Sequence, residues 1–262
     1  MAELLYEPTH HSAVCDHLFQ VYRDTSELAE SVAVFLVAGF EAGEPAVVVA
    51  TAAHWPVFAE RLQKHGWSTA ELEAAGMLFV ADAETTLAAI LDDGRPSLRR
   101  FTDVIGTLMD RATADDRSRR IRVFGEMVDL LCRRGDAAGA DALEELWNKL
   151  GSRRSFSLLC GYKLDLFDHE THVTLLPQVC RSHSQMLPVA DPVRMDSAVD
   201  AALVETLGPA AAQKVYAQAA QQADQHVPAS QQALMWLSAQ MPRSAERVLA
   251  AARTHYLAAA NA

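Results

Sequence analysis

Four short, strongly apolar runs constrain what this chain can fold into more than any other feature. They are PAVVVAT (45–51), GMLFVADA (76–83), RIRVFGE (120–126) and SFSLLCGY (155–162). Each has the length of a strand, and stretches with apolar residues at helical spacing separate them, among them SELAESVAVFLVAGFEAGE (26–44) and SLRRFTDVIGTLMDRA (97–112). Strands covered on both faces read as continuous apolar runs, and alternation with helices marks βαβ units. The expected fold is therefore α/β: a three-layer, mostly parallel sheet with helices on both faces. Right-handed crossovers place every carboxyl end on one edge, where open α/β sheets bind ligands.

The pattern changes after Leu187-Pro188. Residues 190–262 are rich in Ala and Gln, with breaks at Gly208-Pro209, Pro228 and Pro242. They read as four short helices without a strand. The chain thus divides into an α/β region, 1–188, and an all-helical C-terminal region, 189–262. A formal net charge of −11 argues against direct nucleic-acid binding, which rests on basic side chains neutralising phosphates. The basic stretch RATADDRSRRIR (111–122) reads as a solvated linker before a strand. No apolar run approaches the ~20 residues of a membrane span. The first residues, MAELLYEPTHHS, lack the basic and apolar regions of a secretory signal, so a cytoplasmic location is expected. Cys15, Cys132, Cys160 and Cys180 are widely spaced and suit buried or site thiols better than disulfides.

Several catalytic signatures are missing. The turn after VVVAT, AAHWPVF, has no glycine and no lysine to cradle phosphate, so a Walker-type ATPase is not expected. No G-x-G-x-x-G or G-x-S-x-G follows a strand. HETH (169–172) is not H-E-x-x-H, and His169 and His172 read as surface residues. Two clusters suit a metal or haem iron: His10, His11, Cys15 and His17 near the start, and Cys180 with His183 near the end of the α/β region. The corresponding set is Cys15, His17, Cys180 and His183. Glu126 directly follows the third apolar run and Gly125, at the expected ligand edge. It can be a binding group, a general base, or a carboxylate favoured at a helix start.

Six stretches, in order, resemble the MEDS family of sensory domains, named for methanogens, methylotrophs and the dichloromethane-responsive regulator. They are DHLFQVYRD (16–24), FLVAGFEAGEPAVVVAT (35–51), RVFGEMVDLL (122–131), LEELWNKL (143–150), FSLLCGY (156–162) and VCRSHSQMLP (179–188). The resemblance implies a RecA/KaiC-like fold that has lost its phosphate loop. It implies a cytosolic signal sensor that binds a small molecule, such as a simple hydrocarbon derivative, at the carboxyl edge of the sheet. Carried over by motif, the ligand-binding residues are His17, Gln20, Tyr22, Glu126, Cys160, Tyr162 and His183, with no catalytic residue and no cofactor. Relatives are often fused to histidine kinases or to transcription regulators. This chain shows no such output domain, so signalling through protein contacts with a kinase or regulator is expected, from a homodimer. A haem- or metal-binding redox or gas sensor, and a hydrolase-like enzyme with Glu126 as base, are the alternatives.

Overall fold

The computed structural model describes residues 15–114, 116, 119–222 and 226–259. His10 and His11 lie outside the described residues, as does the side chain of Cys15. The chain opens with strand β1 (Cys15–Tyr22), in a stretch where composition alone suggests only a cluster of ligand atoms. Asp24 caps the following helix α1 (Thr25–Glu41), accepting from the backbone N–H groups of Ser26 and Glu27, both at 3.0 Å. A carboxylate there satisfies two donors that the helix itself leaves unpaired.

Then come β2 (Ala46–Ala50), α2 (Trp55–Lys64), α3 (Thr69–Ala74), β3 (Leu78–Asp82) and α4 (Ala83–Ile90). Helix α4 ends earlier than its apolar pattern suggests. Asp93 and Gly94 take positive φ and turn the chain into a small hairpin, β4 (Leu91–Asp92) and β5 (Arg95–Pro96). Next are α5 (Leu98–Thr113), β6 (Ile121–Gly125), α6 (Met127–Arg133), α7 (Ala137–Gly151) and β7 (Phe156–Lys163). A π turn, Thr171–Leu175, leads into α8 (Leu176–Ser182) and the short edge strand β8 (Gln185–Met186).

The main sheet is six-stranded and parallel, in the order β3-β2-β6-β7-β1-β8. Strand alternation divides its side chains between two cores. Ala46, Val48 and Ala50 of β2 pack with α1, α2 and α3, whereas Val47 and Val49 pack with α4, α5, α6 and α7. The three-layer α/β architecture read from the sequence is the observed one, and β1, β2, β3, β6 and β7 end on one edge at Tyr22, Ala50, Asp82, Gly125 and Lys163, while the short β8 ends at Met186.

Four helices complete the chain: α9 (Pro192–Leu207), α10 (Pro209–Gln221), α11 (Ala229–Gln240) and α12 (Pro242–Ala258). Three begin on a proline and α11 directly follows one, because proline has no N–H to lose in a first turn. Leu203, Leu234, Leu237, Val248 and Tyr256 are buried and belong to the same apolar core as residues of α7 and β7.

One close approach is inflexible. A Cβ on Gly39 of α1 would lie 2.4 Å from Cγ of Arg122, a buried side chain of β6. Arg122 is fixed by Glu44 at 2.6 Å and by the Phe35 ring at 5.0 Å. Gly39→Ala is expected to destabilise the protein by about 1–3 kcal/mol despite the better helix propensity of alanine. Urea unfolding measures this, and a gain in stability would contradict the packing described.

Candidate functional site

Seven residues were expected to share one ligand site, and the structure divides them among three places. His17, Cys160, Tyr162 and His183 meet on the face of the sheet. Tyr22 and Glu126 lie at its carboxyl edge. Gln20 points to the opposite face, where its amide donates to the carbonyls of Val21 at 2.9 Å and Pro188 at 3.1 Å.

The first group is built by β1, β7, α7 and the residue that ends α8. His17 of β1 and Cys160 of β7 are directed to the same face and lie under α7, with His17 Nε2 3.5 Å from Cys160 Sγ. Helix α7 presents Glu144 and Asn148, one turn apart, to His17. The Asn148 amide donates to the Ser182 carbonyl at 3.1 Å, so its oxygen faces His17 and accepts from Nδ1 at 2.9 Å. His183 donates from Nδ1 to the Val179 carbonyl at 2.7 Å. Both imidazoles therefore direct Nε2 inward, toward the Glu144 carboxyl group. His17 Nε2 faces Glu144 Oε2 at 3.2 Å, and His183 Nε2 faces Glu144 Oε1 at 3.5 Å. Neither contact is aligned as a hydrogen bond. The two imidazole rings are 4.0 Å apart, and Phe19 and Tyr162 flank His183.

Burial sets the protonation of this group. It pushes the His183 imidazole down to about 4, against the pull of Glu144, so His183 is neutral at pH 7. Burial also opposes ionisation of Glu144, but the facing imidazoles and the Tyr162 hydroxyl hold its carboxyl below its ordinary value. Burial and the Glu144 charge raise Tyr162 well above the usual phenol range, so it remains a donor, and it bonds Glu144 Oε1.

The second group occupies the carboxyl edge. Glu126, fully buried, precedes α6 but makes no capping bond. Its carboxylate accepts from His54 Nδ1 at 2.7 Å and lies 3.4 Å from both the backbone N–H and the hydroxyl of Thr51. The N–H and hydroxyl at the start of this turn thus face a protein carboxylate. A Cβ at Gly125 would be in ordinary contact, 3.9 Å from Trp147, so close approach does not demand that glycine. Beside Glu126, the Tyr22 hydroxyl reaches Asp129 at 3.4 Å, and Asp129 accepts from the Lys163 backbone N–H at 2.9 Å and pairs with Arg133 at 3.0 Å. Burial raises Asp129, and burial with the Asp129 and Glu126 charges raises Tyr22 far above the usual phenol range.

A cleft of about 450 Å³ opens next to this edge. Tyr22 and Lys163, the last residues of β1 and β7, form one side with Leu164 and Phe167, while Arg253 and Leu257 of α12 form the other. Arg253 reaches Asp165 at 2.6 Å across it. A second cavity of about 370 Å³ lies around Met186 and Val227, beside the edge strand β8.

A family model described as MEthanogen/methylotroph, DcmR Sensory domain, matches residues 16–184. The chain belongs to the MEDS family. The family assigns it a signal-sensing role. The MEDS match spans β1 to the residue after His183, so it contains both polar groups and ends before α9. No curated protein matches the chain.

Cys180 is half-buried and is not part of the group around His17, and Cys132, Cys160 and Cys180 form no disulfide. Sequence reasoning missed Glu144, Asn148, His54 and Asp129. The one available signal was the Glu144–Asn148 spacing of four, which puts both on one helix face.

His172 corrects another expectation. It is buried, not on the surface, and its Nε2 bonds the Leu166 carbonyl at 2.8 Å. Burial lowers it from 6.5 to about 4. The unfolded chain then binds the extra proton between these values, so His172 favours folding above pH 6.5 and loses that contribution as pH falls to about 4. His172→Gln should flatten the stability profile over this window in urea unfolding at stepped pH. An unchanged slope would contradict the burial of a neutral ring.

Proposed function

We propose that this MEDS protein is a cytosolic sensor that binds a small organic molecule in the cleft between the sheet's carboxyl edge and α12, and signals through protein contacts. The observation that carries this reading is the position of the cleft. One wall belongs to the ends of β1 and β7, and the other to the last helix of the C-terminal region. A ligand there touches both parts at once, and it shifts their arrangement by binding one arrangement more tightly.

The lining suggests the ligand class. Leu164, Phe167 and Leu257 offer an apolar surface, while Lys163 and Arg253 offer positive charge at the rim. A hydrocarbon derivative with a polar or acidic head satisfies both. The partner would be a histidine kinase or a transcription regulator, met by a homodimer of this chain. Val193 and Val204 of α9 are exposed and supply apolar area for such a contact. No described helix is long and apolar enough to cross a membrane.

Calorimetric titration of the full chain with short-chain alcohols, halides and carboxylates tests the ligand site. Phe167→Ala should weaken whichever compound binds at least about tenfold, the equivalent of 1.4 kcal/mol. Equal affinity of Phe167→Ala and the parent chain would place the ligand elsewhere.

A further inference from the structure

We infer that His17, Glu144, Cys160 and His183 form a closed four-donor site for a divalent transition metal ion, zinc by the nature of its donors. The inference stands apart from the cleft and does not depend on it.

The geometry is the first argument. One donor atom from each residue lies within 4.8 Å of the other three. A tetrahedral zinc site, with bonds of about 2.0–2.3 Å, holds neighbouring donors about 3.3–3.6 Å apart. The observed pairs stand at 3.2 Å for His17 Nε2 and Glu144 Oε2, and 3.5 Å for His17 Nε2 and Cys160 Sγ. His183 Nε2 stands 3.5 Å from the other carboxylate oxygen, Oε1. That spacing fits a bare ion and leaves no room for a porphyrin.

Electrostatics is the second argument. Both Nε2 atoms are turned toward the buried Glu144 carboxyl group, and with each Nδ1 placed on a protein oxygen, each Nε2 can offer a lone pair to an ion. Glu144 Oε2 and His183 Nε2 are buried and have no hydrogen-bond partner among the described residues. A cation standing between these atoms would satisfy them. A divalent ion with two neutral imidazoles, one carboxylate and one thiolate is electrically neutral, which suits a core site. Metal binding releases the Cys160 proton to solvent and forms the metal–sulfur bond, without redox change.

The surroundings are the third argument. The second nitrogen of each ligating imidazole donates to a fixed oxygen, of Asn148 for His17 and of Val179 for His183. Tyr162 holds the remaining carboxylate oxygen. Metal sites use this outer support to set tautomer and ring orientation. The ion would join β1, β7 and α7 to the link before β8, the segment that leads into α9.

The test uses the full chain, stripped with a chelator and titrated with Co²⁺ and then Zn²⁺. One Co²⁺ per chain is expected, with the strong visible absorption of a four-coordinate ion and a sulfur-to-cobalt charge-transfer band. Zn²⁺ should displace it. Cys160→Ser should lose the charge-transfer band while circular dichroism shows a folded chain, and Cys132→Ser and Cys180→Ser should keep it. Asn148→Ala should lower cobalt affinity about 10–100-fold. A folded, stripped chain that takes up no cobalt would overturn the inference and leave a proton as the shared cation. A charge-transfer band that persists in Cys160→Ser would overturn it as well.

Discussion

Glu144→Ala should cost about 3–5 kcal/mol of folding free energy, the typical loss when one partner of a buried charged group is removed. Glu144 is fully enclosed by His17, His183 and Tyr162. Its removal leaves two imidazoles and a hydroxyl facing a void that cannot collapse between β1, β7 and α7. The neighbouring Glu145 is the control. It is exposed and pairs only with Lys149 at 3.3 Å, one turn along the same helix. Glu145→Ala should change stability by no more than about 0.5 kcal/mol. Urea unfolding of the two variants at pH 7 separates these values. A loss below about 1 kcal/mol for Glu144→Ala would mean that the carboxylate does not organise the group around it.

Tyr256→Ala is expected to cost about 3–5 kcal/mol, as truncation of a buried aromatic ring does. The ring is 1% exposed and lies between two guanidinium groups. Arg194 of α9 stands 3.7 Å from its centre and Arg23, just after β1, stands 4.4 Å from it. Phe167 lies 5.4 Å away across the cleft side. Tyr256 thus connects α12, α9, the end of β1 and a wall of the cleft. Tyr256→Phe keeps the ring and should remain near the parent in stability. Thermal unfolding gives the stability, and hydrogen exchange across residues 242–258 shows whether α12 is released. A mild Tyr256→Ala, with α12 still protected, would remove the physical basis for coupling the cleft to the C-terminal helices.

The strands β2, β6 and β7 were legible because burial on both faces favours apolar side chains at nearly every position, and the half-buried edge strand β3 keeps a mostly apolar run as well. Strand β1 was not, since His17 and Gln20 interrupt its pattern and their partners come from residues far along the chain. The C-terminal helices were legible from proline, which marks where a first turn can begin. The site was only half legible. His17 and Tyr22 occur in one short motif, yet five residues of strand separate them by about 16 Å. An odd spacing also places them on opposite faces. One motif therefore feeds two sites. Glu144 and Glu145 are chemically identical in sequence, and only the rotation of α7 against the sheet decides which is buried.

The most direct test of the sensor reading is hydrogen exchange on the full chain, with and without a saturating short-chain organic compound that binds it. Added protection is expected together in residues 163–167 and in α12, the two walls of the cleft. Protection confined to the region around Met186 and Val227, or none in α12, would contradict it.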